Sequence, residues 1–143
     1  MASTSHVRWT GDLKSGEGRI ETGSGAVNGA YSAASRFSDG KGTNPEELIA
    51  AAHAACFSMA LTLVLGEAGH DPQSVETDAK VYLRKQGEGF EIHKIELETE
   101  GTVPGINEED FREHAEAAKS GCPISKALAA VPEITLETRL AAG

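Results

Sequence analysis

Cys56 and Cys122 are the two cysteines of the chain, and each sits where a thiol could be reactive. Cys56 falls in the run Ala51-Ala52-His53-Ala54-Ala55-Cys56-Phe57-Ser58, and Cys122 in Ser120-Gly121-Cys122-Pro123. The thiolate is the nucleophilic form of cysteine, and a second cysteine within reach converts an oxidised first one into a disulfide that a reductant can reset. The pair therefore suffices for a redox cycle if the fold brings the two together. Each cysteine also has a plainer reading. A cysteine among alanines in mid-helix is commonly a small buried hydrophobe, and Gly-Cys-Pro serves as a helix start in which Cys122 is only a cap. Against that, a place just before Pro123 at a helix N-terminus sets unpaired N–H groups and the positive end of the dipole near the sulfur.

His53 precedes Cys56 by three residues and shares its helical face, which permits a Cys/His contact that activates a nucleophile. The alternative is a core histidine bonded to a carbonyl. His6, His70, His93 and His114 are scattered without metal-ligand spacing, so no metal is expected. No glycine-rich phosphate loop stands between a buried strand and a helix, so no nucleotide cofactor is expected either. Arg36 lies beside Phe37, and Glu46 lies on the first turn of the long helix described below. As an exposed ion pair the two would contribute about 0 to 1 kcal/mol.

These residues must be positioned by a chain of 143 residues with a net charge of −9, 24% charged and 39% hydrophobic residues. That length and balance fit one soluble domain over residues 1–143 and disfavour nucleic acid or an anionic membrane as partner. Met1 to Thr10 lacks the charged start and apolar stretch of a secretory signal, and no apolar run is expected to reach transmembrane length. A cytoplasmic location is expected, where cysteine pairs act as transient rather than permanent disulfides.

Short β-prone runs at His6 to Leu13, Glu17 to Thr22 and Tyr31 to Phe37 predict an antiparallel meander, with Arg36 closing its last strand. Asn44 as N-cap, Pro45 at the first helical position and Glu47 three after the cap predict a helix start at Pro45. From Leu48 through Leu65 nearly every residue is apolar or small, which predicts a helix buried almost all round, with Gly66 and Gly69 as candidate stops. Ala79, Val81 and Leu83 open a long antiparallel hairpin turning at Gln86-Gly87-Glu88-Gly89. A change of apolar phase between Phe90/Ile92 and Ile95/Leu97 predicts a β-bulge near His93-Lys94. Asn107 with Asp110 predicts a surface helix to about Lys119 that Gly121 ends. Pro123 opens a short helix through Ala130, and Glu133 to Leu140 alternates as a last strand.

Thr43-Asn44-Pro45-Glu46-Glu47-Leu48, Ala51-Ala52-His53-Ala54-Ala55-Cys56-Phe57-Ser58-Met59-Ala60 and Gly121-Cys122-Pro123-Ile124-Ser125 resemble the signatures of the OsmC/Ohr family, in its OsmC branch. Trp9-Thr10-Gly11-Asp12, Ser35-Arg36-Phe37 and Val103-Pro104-Gly105-Ile106 extend the resemblance over nearly the whole chain. It implies an α+β fold, with antiparallel β-sheets wrapped around long central helices in an intertwined homodimer. It also implies a peroxidase that takes organic hydroperoxides in preference to hydrogen peroxide, using thiols alone and no bound cofactor. By the same resemblance Cys56 is the peroxidatic and Cys122 the resolving cysteine, and Arg36 is the activating arginine with Glu46 as its carboxylate partner. A dihydrolipoyl or thioredoxin-like dithiol would be the reductant.

Those roles are chemically coherent. Arg36 would hold Cys56 as thiolate and stabilise charge developing on the peroxide oxygens, while Glu46 would lock the guanidinium through a bidentate pair. Ten residues separate Glu46 from Cys56, which is about 15 Å of helical rise and roughly 80° of rotation, too far for one arginine to touch both in one subunit. The expected site is therefore shared, Arg36 and Glu46 of one chain facing Cys56 and Cys122 of another. The competing expectation is a redox-sensing or binding protein that uses the same disulfide as a switch. A Cys/His hydrolase built on Cys56 and His53 lacks an evident oxyanion hole. Phe57, Met59, Ile124 and Leu128 are candidates for an apolar peroxide pocket.

Overall fold

A computed structural model describes residues 1–141. The chain forms two compact units, Met1–Leu48 and Ile49–Gly143.

In the first unit β1 (Ser5–Thr10), β2 (Glu17–Thr22) and β3 (Asn28–Tyr31) form an antiparallel sheet in that order. Trp9 and Tyr31 flank Gly18 on β2, with their rings edge to face at 5.5 Å. A β-carbon at Gly18 would come within 2.2 Å of the Tyr31 ring, so glycine is what lets the rings meet. After β3 the structure departs from the expected strand over Tyr31 to Phe37, because Ala33–Phe37 is a short helix, α1. Ser32 and Ser35 cause it by a reciprocal cap: the Ser35 N–H donates to Ser32 Oγ at 3.1 Å and the Ser32 N–H to Ser35 Oγ at 2.8 Å. These local bonds outweigh a modest β-propensity. The Ser35 hydroxyl donates onward to the Thr43 carbonyl at 2.7 Å, and Asn44 Nδ2 donates to the Ser35 carbonyl at 3.1 Å, which ties the following turn back onto α1.

Helix α2 runs Pro45–Glu67, starting where the sequence predicts, with the Glu47 N–H donating to Asn44 Oδ1 at 2.8 Å. Gly69, at φ +86°, carries the chain out of the helix as His70 N–H bonds the Leu65 carbonyl at 2.9 Å. The expectation of all-round burial is not met within one chain. His53, Phe57, Leu61 and Leu65, four residues apart, form a fully buried stripe, while Met59 is 75% and Leu63 62% exposed. The helix has a window of mean hydropathy 2.1, long and apolar enough to cross a bilayer by length and composition, with 22% of that window buried. This corrects the expectation that no apolar run reaches that length. Its many alanines, read as small residues for close packing, also raise the hydropathy.

In the second unit β4 (Ser74–Gln86), β5 (Gly89–Thr102) and β6 (Glu133–Leu140) form a sheet in that order. Tyr82 pairs with Lys94 and Leu83 with Ile92, leaving His93 as the extra residue of the expected bulge. The fold class is α+β as expected, but this sheet is mixed: β6 lies parallel to β5, reached by way of helices α3 (Glu108–Gly121) and α4 (Pro123–Ala127). A parallel neighbour requires such a crossover. Asn107 caps α3 by accepting from the Asp110 N–H at 2.8 Å, and Phe111, Ala115 and Ala118 face inward. α4 ends earlier than the expected Ala130. The core joins Phe57, Leu61 and Leu65 of α2 to Ile95 and Leu97 of β5 and to Phe111 of α3. A hydroxyl chain also docks α2 onto the sheet, Ser58 Oγ donating to Thr77 Oγ1 at 2.7 Å, with Thr99 Oγ1 3.1 Å beyond.

Candidate active site

Cys122 stands at the junction of two helices. Its N–H bonds the Ala118 carbonyl at 2.9 Å and closes α3, while the residue is the N-cap of α4. Pro123 requires an extended residue before it, and Cys122 has φ −60° and ψ 123°. Its side chain is completely buried, whereas Cys56, on the middle of α2, is half-buried, and both are free thiols.

The fold brings these two cysteines together. Burial, followed by the hydrogen bond that its S–H donates to Cys122, pushes the Cys56 thiol up. At Cys122 burial acts the same way, but the donated Cys56 S–H, the Ser125 N–H and hydroxyl and the Ile124 N–H together outweigh it and bring that thiol below its ordinary value. The sulfur makes no close capping bond as a thiol. As a thiolate it is favoured by the N–H groups at the start of α4. Of the two, Cys122 is therefore the more readily ionised.

Arg36 and Glu46 also come together. Arg36 rises from α1, not from a strand end, and its Nε–H donates to Glu46 Oε1 at 2.7 Å. Glu46 is buried on the first turn of α2. The contact is a single bond, not the expected two-point fork. The guanidinium also lies over the Phe37 ring, 5.3 Å from its centroid.

His53 is the buried core histidine of the plainer expectation, but with a different partner. Its Nε2 lies 2.7 Å from Ser125 Oγ, so its partner is a hydroxyl of α4 and not a carbonyl or Cys56. Ser125 was not singled out from sequence, although its place three residues after the N-cap of α4 was the available signal. Of the candidate pocket residues, Phe57 is committed to the core, while Ile124 and Leu128 are half-buried and Met59 is exposed.

Two thiols in hydrogen-bonded contact, one on a central helix and one at a helix N-terminus in an α+β fold, define a two-cysteine redox protein. The chain belongs to the OsmC family, since residues 38–137 match the family of OsmC-like proteins. It is 53% identical over 135 residues to the peroxiredoxin OsmC of Escherichia coli (strain K12), covering 94% of this chain and 93% of that protein. Among solved structures it resembles the organic hydroperoxide resistance protein OhrB of Bacillus subtilis, with a TM-score of 0.68 and 29% identity over 96% of this chain and 98% of that one. An organic hydroperoxide resistance protein from Elizabethkingia anophelis matches with a TM-score of 0.69 and 25% identity, over 100% and 99% of the two chains.

Proposed function

We propose that this protein is a cysteine-based peroxidase that reduces organic hydroperoxides, and hydrogen peroxide less efficiently. The observation that carries the reading is the direct contact of the Cys56 and Cys122 thiols. The Cys56 thiolate attacks the terminal peroxide oxygen, the O–O bond breaks, and the alkoxide leaves with a proton as an alcohol, so Cys56 becomes a sulfenic acid. The Cys122 sulfur then bonds to the Cys56 sulfur, the S–O bond breaks, and hydroxide departs as water with the proton Cys122 gives up. A dithiol of the dihydrolipoyl or thioredoxin type restores both thiols by exchange and is itself oxidised to a disulfide. No bound cofactor enters the cycle, which suits a reducing cytoplasm.

In one chain Cys122 is the more readily ionised of the pair, whereas the first step needs a thiolate at Cys56. A guanidinium brought up to Cys56 would draw the charge across and stabilise the leaving oxygen. Arg36 is suited to this, because Glu46 takes its Nε–H and leaves the two terminal amino groups to face a reacting sulfur. Helical rise prevents Glu46 and Cys56 of one α2 from sharing that arginine. In this reading a homodimer completes the site, the guanidinium coming from the second subunit. The largely unburied apolar surface of α2, with Met59 and Leu63, is the surface that such a dimer would cover.

The test is turnover of tert-butyl and cumene hydroperoxide against hydrogen peroxide with dihydrolipoamide as donor. Sustained consumption with preference for the organic peroxides is expected. A single stoichiometric oxidation without turnover would instead mark a redox sensor using the same disulfide as a switch.

A further inference from the structure

His53 is fully buried, its Nε2 is 2.7 Å from Ser125 Oγ, and its Nδ1 is buried without a hydrogen-bond partner. Burial keeps the ring neutral by holding its pKa below the ordinary 6.5. A neutral imidazole carries one proton, on one nitrogen or the other. On Nδ1 it would be a stranded buried N–H, one of the rarest and costliest groups in an interior; on Nε2 only a lone pair goes unused. The Nε2–H tautomer follows, and it donates to Ser125 Oγ. A hydroxyl that accepts there still has its own proton to give, and that proton acts on the Cys122 sulfur.

We propose that His53 and Ser125 are a positioning pair for Cys122: the His53 Nε2–H fixes the Ser125 hydroxyl so that its proton points at the sulfur attacking the Cys56 sulfenic acid. The proposal rests on the reading of Cys122 as the resolving thiol. Before that attack the negative charge must stand on Cys122, and three donors then meet it at the start of α4: the Ser125 hydroxyl and the N–H groups of Ser125 and Ile124. As the S–S bond forms the charge leaves with the hydroxide, so donors already in place cost no reorganisation. The buried histidine thus acts through a hydroxyl on the second cysteine, and not as a base on the first. It lies on the same buried stripe of α2 as Phe57, so the core packing that sets the helix also sets the hydroxyl.

The thiolate absorbance of Cys122 near 240 nm, followed through a pH titration in a Cys56→Ser background and compared at a pH on its rising limb, tests this without any peroxide, so failure of the peroxidase reading would not affect it. Ser125→Ala and His53→Leu are expected to lower the thiolate fraction about tenfold, the usual effect of losing one hydrogen bond to a charged group. Ser125→Thr keeps the hydroxyl, and His53→Gln offers an amide N–H in place of Nε2–H; both are expected to retain most of the absorbance. Circular dichroism checks that each variant is folded. Unchanged absorbance in folded Ser125→Ala would overturn the proposal, as would His53→Gln losing as much as His53→Leu. Should His53→Leu not fold, the Ser125 pair of variants decides.

Discussion

The Cys56 and Cys122 thiols are hydrogen-bonded to one another, with Cys56 pushed above its ordinary value and Cys122 brought below it, so the cysteine at the helix cap is the more readily ionised of the two. Desolvation alone would raise both. The difference lies in the number of donors: the Ile124 N–H acts on both sulfurs, and Cys122 takes in addition the Ser125 N–H and hydroxyl. In the proposed cycle this favours Cys122 as the attacking sulfur of the second half, while the first half calls for a cation at Cys56.

Removing either sulfur separates the two halves. Cys56→Ser is expected to abolish peroxide turnover. Cys122→Ser is expected to consume about two equivalents and then stall, one forming the sulfenic acid and a second carrying it, without its partner, on to the sulfinic acid. Intact-mass spectrometry should find first one and then two added oxygens on Cys56. A Cys122→Ser protein that turned over normally with the dithiol would remove Cys122 from the cycle.

Arg36→Ala should lower the second-order rate with organic hydroperoxide by on the order of a hundredfold, the usual loss when a donor to a developing oxyanion is removed. Arg36→Lys should recover little, because an ammonium cannot bond Glu46 and offer further donors in the same plane. Glu46→Gln retains an acceptor for the Arg36 Nε–H and should cost less than either, about tenfold. Stopped-flow measurement of peroxide decay would rank the three.

Stability should depend on pH through His53. Burial depresses its pKa, so between that lowered value and 6.5 the unfolded chain binds a proton that the folded chain refuses. The folded state is then penalised as pH falls below 6.5, and stability rises with pH through the same window. Asp12, held below the usual carboxylate range first by the Ser15 N–H, also loses stabilisation in acid, but in the lower carboxylate window. Melting temperatures taken from pH 7.5 to 5 should fall for the wild type and stay flatter for His53→Gln. Parallel curves would show that the histidine does not titrate on unfolding in this range.

Leu63→Glu places a charge on the exposed apolar surface of α2, where Leu63 is 62% exposed in the single chain. If a second subunit covers that surface, burying an unpaired carboxylate there should dissociate the dimer. Sedimentation should then show a monomer, with peroxide turnover lost although both cysteines and Arg36 are intact. A monomeric variant that kept full activity would argue for a site complete within one chain.

Much of the scaffold was legible because its signals are local. The Asn44-Pro45 helix start, the Asn107 cap, the extra residue at His93 and the final strand from Glu133 are each set by residues within a few positions of one another. Local signals also misled. The run from Tyr31 to Phe37 reads as a strand until Ser32 and Ser35 are seen as reciprocal caps of α1. The parallel pairing of β6 and the one-sided burial of α2 depend on tertiary packing that periodicity does not encode. At the candidate site, residue types marked both cysteines, while Arg36 and Glu46 took their expected roles from the resemblance to the OsmC/Ohr motifs. The single-bond geometry of that pair and the link from His53 to Ser125, 72 residues away, emerge only once the chain is folded.

The central claim is that each site draws Arg36 and Glu46 from one subunit and Cys56 and Cys122 from the other. Co-expressing Arg36→Ala and Cys56→Ser chains, each inactive alone, tests it most directly. A heterodimer then holds one intact site, with the cysteines of the first variant and the guanidinium of the second. Random pairing in equal amounts should restore about a quarter of wild-type turnover. A mixture whose dimers have demonstrably exchanged, yet whose activity stays at the sum of the two parents, would contradict the shared site.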